Sequence, residues 1–599
     1  MEPPENDNPF FPPKSGRCIV NELPSELLSH IFTLGWAPER DDEPDEDDFE
    51  DVDDGESDDG SFSTASSFSD DGPRPLRHGR EDAEDRERKL PFNVLVSHVC
   101  ARWRAIALKN SLLWTHIRFE GPPPWERALI YLDRASTAPL SIIIDRTVEE
   151  EDDHSESEYS DDGDRPKPED DDPDLSIITE IMDIVVAHVD HIQALQIMVS
   201  FYPHMHRALV KLGATAGAPL LEVLQLYHYE DTDEHEKFKL QELREQPFVL
   251  FNGNAPRLTH VALWGVHLNW SKEGSPFLTG LTDLEFAYHA RDVRPSYADF
   301  TRILRSSRDL RTLTLCMSCP AGVPADWREE REPEDAMDVD TSAPLVLSRL
   351  EDLVLAYLEP PYVLALLTRL YLPALTSLAL DLEDDDFSDF LAYLASPRSL
   401  PQPPPPPLSL CGPGVAGSAS PRARSLLSNI TSLKIASLRC NEAVVLEAYK
   451  QLDKVASLNL NMLYLDECWL ELLLPSPTPS TSANTNQNEL YLPRLEALTT
   501  TGVDGARLRE LVELRAARGA PIRTVLMNQD DDLDEEDEAW LAKHLDRFEL
   551  FEGSDEEEEE EVELVDPFDD DGDEWEDADE DEDDFEDDFG DAPMLILPF

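Results

Sequence analysis

Leucine and its aliphatic substitutes recur along this chain in one pattern, L-x-x-L-x-L. It is found as Ile192-x-x-Leu195-x-Ile197, Leu221-x-x-Leu224-x-Leu226, Leu258-x-x-Val261-x-Leu263 and Leu281-x-x-Leu284-x-Phe286. It continues as Leu310-x-x-Leu313-x-Leu315, Leu350-x-x-Leu353-x-Leu355, Leu375-x-x-Leu378-x-Leu380, Ile430-x-x-Leu433-x-Ile435 and Val455-x-x-Leu458-x-Leu460. Leu495-x-x-Leu498-x-Thr500, with a polar last position, and Ile522-x-x-Val525-x-Met527 end the series. On a helix these three positions would lie at about 0°, 300° and 140°, which is no single face. On a strand the last two share a side, and the first turns in from the preceding loop. The pattern predicts strands.

Start-to-start spacings are 29, 37, 23, 29, 40, 25, 55, 25, 40 and 27 residues. The shorter ones fall within the period of leucine-rich repeats. Helical stretches fill the connections, including 297–306, 362–370, 442–451 and 506–517. Strand and helix alternating at this period predict an α/β solenoid, with a parallel sheet inside and helices outside. Each repeat buries its leucines only against its neighbours, so the ends need covers. The N-terminal helices are expected to cover one end. Residues 537–550, with Trp540, Leu541, Leu545 and Phe548, are the candidate helical cover at the other.

Ahead of the repeats, Leu23-Pro24-Ser25-Glu26-Leu27-Leu28-Ser29-His30-Ile31-Phe32 predicts a helix start, because proline suits the first helical position. A second amphipathic helix is predicted from 90 to 108, with Val96, Val99, Cys100, Trp103, Ile106 and Ala107 on its apolar side. Leu27 and Trp103 are expected to hold the two helices together. Asn110-Ser111-Leu112-Leu113-Trp114 closes the module.

Those residues resemble the F-box: Leu-Pro-x-Glu-Leu-Leu-x-x-Ile-Phe, then Val99-Cys100-x-x-Trp103-Arg104-x-Ile106-Ala107, then Leu113-Trp114. The continuation, Tyr131-Leu132-x-Arg134 followed by Pro139-Leu140-Ser141-Ile142, resembles the large F-box families of mushroom-forming fungi. The resemblance implies an SKP-family adaptor of a cullin ubiquitin ligase as partner, with the rest of the chain recruiting substrate. Adaptor contacts are then expected from Leu23, Pro24, Leu27, Ile31, Val99 and Trp103. Unlike in the family, residues 35–89 separate the two halves. The closure penalty is logarithmic, so a loop of 55 residues instead of about 6 costs only about 2 kcal/mol more.

Charge then divides the chain. Its 599 residues hold 128 acidic against 50 basic side chains, a formal charge of −78, and 48 prolines. Runs of like charge repel and hold too little apolar surface to order. The expected organisation is 1–17 disordered, 18–118 an F-box-like module with a disordered acidic insert at 37–89, and 119–527 the solenoid. Disordered inserts are expected near 146–174, 230–246, 321–344, 398–424 and 475–489. A C-terminal helical cap at 528–550 and a disordered acidic tail at 551–599 complete it. Phosphates would be repelled, which argues against direct nucleic-acid binding. Seven scattered cysteines, a polar N-terminus and no long apolar run point to an intracellular, non-secreted protein off the membrane, in cytoplasm or nucleus.

The residues flanking each inward pair are expected to face solvent on the concave side: Tyr227, His260, Trp264, Asp283, Glu285, Thr314, Asp381, Lys434, Asn459, Asn461 and Thr499. Tyr227 and Trp264 sit on adjacent strands and, with Asp283 and Glu285, are the candidate substrate site, since exposed aromatics make good anchors. The bland alternative packs Trp264 under the 321–344 insert or a neighbouring loop. Cys316-x-x-Cys319 lacks a second ligand pair, so no metal is expected. His204 and His206 are expected in a loop before Leu209. No phosphate loop, zinc-protease or nucleophile-elbow motif occurs, and no carboxylate pair sits in an apolar setting. The expectation is a non-enzyme without cofactor that binds an unidentified protein substrate, basic proteins being the class its charge favours. The competing expectation is an acidic repeat scaffold or chaperone for basic proteins, with the aromatic-spiked tail from Phe548 onward contributing.

Overall fold

A computed structural model of the protein describes residues 20, 23–36, 90–147, 173–229, 237–244, 248–318, 320–327, 344–397, 424–474 and 490–551. The expected disordered stretches 1–17 and 37–89 lie outside the described residues, as do the expected tail 551–599 apart from Phe551 and most of the five inserts. Those inserts are not wholly separate from the fold. Phe238 packs on Tyr202 with ring centroids 4.6 Å apart. Trp327 is buried and stacks on Tyr297, 5.2 Å between centroids. Both are large apolar side chains in polar stretches of sequence, and burying such a side chain contributes roughly 1.5–3 kcal/mol.

The centre is a parallel sheet of 14 strands that follow one another in chain order, while two short strands, Leu345–Val346 and Leu370–Tyr371, lie between its members in sequence and pair only with each other. Eleven of its strands carry the eleven signatures, beginning with Ile192–Val199, Val223–His228, His260–Trp264, Asp283–Ala287, Thr312–Cys316 and Asp352–Ala356. Ser377–Asp386, Ser432–Arg439, Ser457–Asn461, Ala497–Thr501 and Thr524–Asn528 follow. Register holds one row of side chains across the whole sheet. Leu195, Leu224, Val261, Leu284, Leu313, Leu353, Leu378, Leu433, Leu458, Leu498 and Val525 are successive partners in it. All eleven are buried. Helices such as Tyr297–Ser306, Pro360–Thr368, Glu442–Tyr449 and Gly505–Ala517 fill the connections close to where the pattern placed them. Their apolar faces join the strand leucines in one continuous core.

The sheet extends beyond the signatures at both ends. His116–Phe119 and Leu140–Arg146 add two strands before the first, so the sheet begins inside the stretch assigned to the N-terminal module. At the other end, the expected helical cap is a helix, Glu535–His544, followed by a last strand, Arg547–Phe551. Arg547-Phe548-Glu549-Leu550-Phe551 alternates with period two, and Phe548 pairs with Val525 in the leucine row.

The N-terminal helices α1 (Ser25–Gly35), α2 (Phe92–His98) and α3 (Ala101–Ala107) pack together despite the long separation in sequence. The single helix expected over 90–108 is broken between α2 and α3. Cys100 is fully extended there, and its Sγ accepts the Trp103 N–H, capping α3. Leu28 and Phe32, one turn apart, form the buried stripe of α1. Phe32 meets Trp103 at 4.9 Å between centroids. Leu27 is half exposed at 50 %, which corrects the expectation that it joins the helices; Leu28 does so instead.

Candidate functional site

The strands alternate, so the face opposite the leucine row carries the other side chains. On six neighbouring strands it carries Tyr227 beside Trp264, and then Ala287, Cys316, Ala356 and Asp381, as successive partners. Ala287, Cys316 and Ala356 are small enough for aromatic rings to lie over them. Trp264, Tyr288 and Tyr357 pack against these three. Trp264 touches Tyr227, Tyr229 and Tyr288, with centroids 5.3, 6.3 and 5.4 Å away. Tyr227 is on the adjacent strand, whereas Tyr229 and Tyr288 directly follow strands, so Trp264 packs in part against neighbouring loops. The 321–344 insert sends Trp327 to Tyr297 and Tyr362 instead.

Two of these tyrosines hold a backbone conformation rare for a bulky residue. Tyr288 and Tyr357 each follow a strand directly, with φ of 51°. Gly265 and Met317 occupy the equivalent left-handed position after their strands. In each case the N–H donates to a carbonyl of the next strand: Gly265 to Ala287 at 2.9 Å, Tyr288 to Cys316 at 3.0 Å, Met317 to Ala356 at 2.9 Å, and Tyr357 to Asp381 at 2.8 Å. The sheet thus holds a strained turn that costs about 1–3 kcal/mol per bulky residue, and the turn sets the Tyr288 ring beside Trp264.

Among the aromatics stand carboxylates. The Trp264 Nε1–H donates to Glu285 Oε1 at 2.6 Å. Burial pushes the Glu285 carboxyl up to about 7 against the pull of that hydrogen bond. Burial also raises Asp352, opposed by Ser377. His260 lies 4.0 Å from Asp283, and burial lowers it despite that carboxylate. Cys316 is pushed up to about 12 by burial and stays a thiol; Cys319 lies outside the described residues. Among the other face residues expected to be exposed, Thr314 and Asn461 are buried. Small and β-branched neighbours on a tightly paired sheet leave short side chains little access to water.

On the N-terminal helices, Pro24, Leu27, Ile31 and Val99 are exposed, whereas Leu23 and Trp103 are partly buried against the core. Leu34, Leu95, Leu108 and Leu112 are exposed on the same helices and the turn that follows.

Sequence reasoning missed a buried cluster. His204 and His206 are in the helix Tyr202–Gly213, not a loop, and both are buried. Met205, Ala208, Leu209 and Leu212 on that helix have the three-to-four spacing that would have disclosed it. Tyr202 stacks on His267 at 5.5 Å, with its OH 3.1 Å from Nδ1. His289 Nε2–H donates to the Val266 carbonyl at 2.9 Å, which leaves Nδ1 to accept from the Ser318 hydroxyl at 2.9 Å. Burial drives His267 down to about 4 and His289 to about 3.

Among the described residues no group of three or more His, Cys, Asp or Glu is placed to hold a metal ion, and no helix is long and apolar enough to cross a membrane. Neither models of known protein families nor curated proteins match the chain.

Proposed function

We propose that this chain is a non-catalytic substrate-receptor subunit of an SKP–cullin–F-box ubiquitin ligase. In this reading α1–α3 are an F-box that docks an SKP-family adaptor, and the sheet is a leucine-rich-repeat array whose open face holds a protein substrate. The observation that carries it is the set of apolar side chains left in water on α1–α3: Leu27 at 50 %, Ile31 at 48 %, Leu34 at 72 % and Val99 at 60 % exposed. Apolar groups concentrated on one small module mark a protein contact. They sit beside a well-filled core of Leu28, Phe32, Val96 and Trp114, so their exposure is not poor packing.

The test is titration calorimetry of purified adaptor into the full chain and into a Pro24→Ala, Ile31→Ala variant. Wild type is expected to bind at micromolar concentration or tighter, and the variant at least about tenfold more weakly at the same melting temperature. Wild-type chain that gives no heat at micromolar concentration overturns the ligase reading. It would then favour the acidic scaffold for basic proteins, which the carboxylates of the sheet face support.

A further inference from the structure

We infer that the sheet face around Trp264 and Glu285 is a receptor for an arginine side chain, presented by a basic segment of another protein. This rests on the reading of that face as a protein-binding surface and gives it a ligand chemistry.

Charge argues first. On the six strands from Val223–His228 to the Ser377 strand, the described side chains of this face include Asp283, Glu285, Asp352 and Asp381 but no lysine or arginine. Lys434 comes one strand later, opposite Ala379. His260 contributes little positive charge, since burial keeps it neutral. Two of the four carboxyls are raised by burial, so an arriving cation would relieve a cost already present.

The aromatic rings argue second, and the chain supplies its own comparison. Arg509 lies over the Trp540 ring at 5.2 Å and pairs with Asp537 at 2.9 Å. Arg369 lies over Trp327 at 5.2 Å and Tyr297 at 5.8 Å. Arg134 lies over Trp114 at 4.3 Å. The chain thus seats its own guanidinium groups on three tryptophans. Trp264, with a carboxylate hydrogen-bonded to its indole edge, combines ring and carboxylate as the Arg509 seat does, and no described arginine or lysine occupies it. A guanidinium suits it better than an ammonium, because a planar cation can stack on a ring while its N–H groups reach a carboxylate in the same plane. Glu285 Oε1 takes the indole N–H, leaving Oε2 for the ligand. The left-handed turn at Tyr288 adds the third part: strain kept where it places one more ring beside the seat, with Tyr357 packed on the same small residues further along the face.

Binding should be linked to a proton. Glu285 titrates near 7 in the free protein, while burial keeps His260 neutral on one adjacent strand and Cys316 a thiol on the other; Asp283 stands two residues before Glu285 on its own strand. Bound guanidinium favours the ionised carboxylate, so affinity rises as pH rises through 7 and binding releases a proton.

The experiment uses the full chain and three glycine-serine peptides that differ only in carrying arginine, lysine or citrulline at alternate positions. Titration calorimetry is run at pH 6, 7 and 8, in two buffers of different ionisation enthalpy, on wild type, Glu285→Gln and Trp264→Phe. Arginine peptide is expected to bind wild type at least about tenfold tighter than citrulline peptide and several-fold tighter than lysine peptide. Each variant should lose about tenfold, and the rise with pH should vanish in Glu285→Gln. The acidic runs elsewhere in the chain are the same in all three proteins, so equal affinities across them assign binding to those runs and overturn the proposal. Lysine peptide equal to arginine peptide also overturns it. Melting temperatures identify a variant that lost its fold, and the isosteric Glu285→Gln then decides. Adaptor binding, measured on the same preparations, is expected to be unchanged by either variant. Its absence alongside arginine binding ends the ligase reading alone, and its presence without arginine binding ends this one alone.

Discussion

Phe32 of α1 rests on Trp103 of α3, ring centroids 4.9 Å apart and planes inclined at 54°. Asn110 strengthens the same junction, its Nδ2 donating to the Ser29 carbonyl at 3.1 Å and to Thr33 Oγ1 at 2.9 Å. Gly35 closes against the Phe92 ring, where a Cβ would come within 2.7 Å. Among the described residues, these contacts join the three helices directly. Deleting 41–86 is expected to leave the melting temperature unchanged or higher, since a shorter connection closes at about 1–2 kcal/mol less entropic cost. Phe32→Ala is expected to cost about 3–5 kcal/mol. Calorimetric melts of both variants check this; a lower melting temperature for the deletion would mean that the insert packs.

Thr500 stands in the core row that otherwise holds Leu226, Leu263, Phe286, Leu315, Leu355, Leu380, Ile435, Leu460 and Met527. It is fully buried and its hydroxyl has no hydrogen-bond partner. Thr500→Val keeps the shape and removes the orphaned group, so it should stabilise by about 1–2 kcal/mol. Leu313→Ala, in the neighbouring row, should destabilise by about 2–5 kcal/mol through lost burial and a cavity. Urea denaturation of the two variants reads both signs, and a destabilised Thr500→Val would contradict the buried, unpaired position.

Acid should weaken the fold. His267 and His289 are held down to about 4 and about 3, whereas both take up protons near 6.5 in the unfolded chain. Their contribution is complete above 6.5 and is lost as pH falls from there toward 4 and then 3, because the unfolded state binds protons the folded state refuses. Glu285 acts oppositely. Raised to about 7 from an ordinary 4.5, it adds stability as pH falls from 7 to 4.5. Two groups outweigh one, so the net fall between pH 6.5 and 4 is on the order of a few kcal/mol. Urea midpoints at pH 7, 5.5 and 4.5 measure it. His267→Phe, which keeps a ring beside Tyr202, should flatten the curve, and an equally steep curve in that variant would remove His267 as a cause.

The leucine rows were legible because a strand buried on one side writes its period directly into the sequence. Leu313 and Leu315 could hardly mean anything else. Tyr227 and Trp264 were legible for the same reason, being the alternate positions of adjacent strands, and they do touch. The outer strands were not. His116–Phe119 has no leucine three residues ahead of its inward pair, and Arg547–Phe551 follows a helix so closely that both read as one amphipathic stretch. Val99 and Cys100 look helical by spacing, and only the extended backbone at Cys100 separates α2 from α3. The left-handed tyrosines were hidden entirely. Sequence marks such turns when they hold glycine, as at Gly265, and is silent when the next strand's carbonyl holds a tyrosine there instead.

The register of the sheet takes no notice of how much chain lies between strands. Leu258 and Leu281 start signatures 23 residues apart, Leu375 and Ile430 start signatures 55 apart, and both intervals deliver their leucines to the same row. A fold of this kind counts rungs and ignores the rope between them. Mutation can therefore lengthen, shorten or recharge a connection without renumbering the ladder, and can duplicate a whole rung without re-threading the rest. The face that meets other molecules is built from rungs, so a lineage can vary its connections at little cost to what it grips.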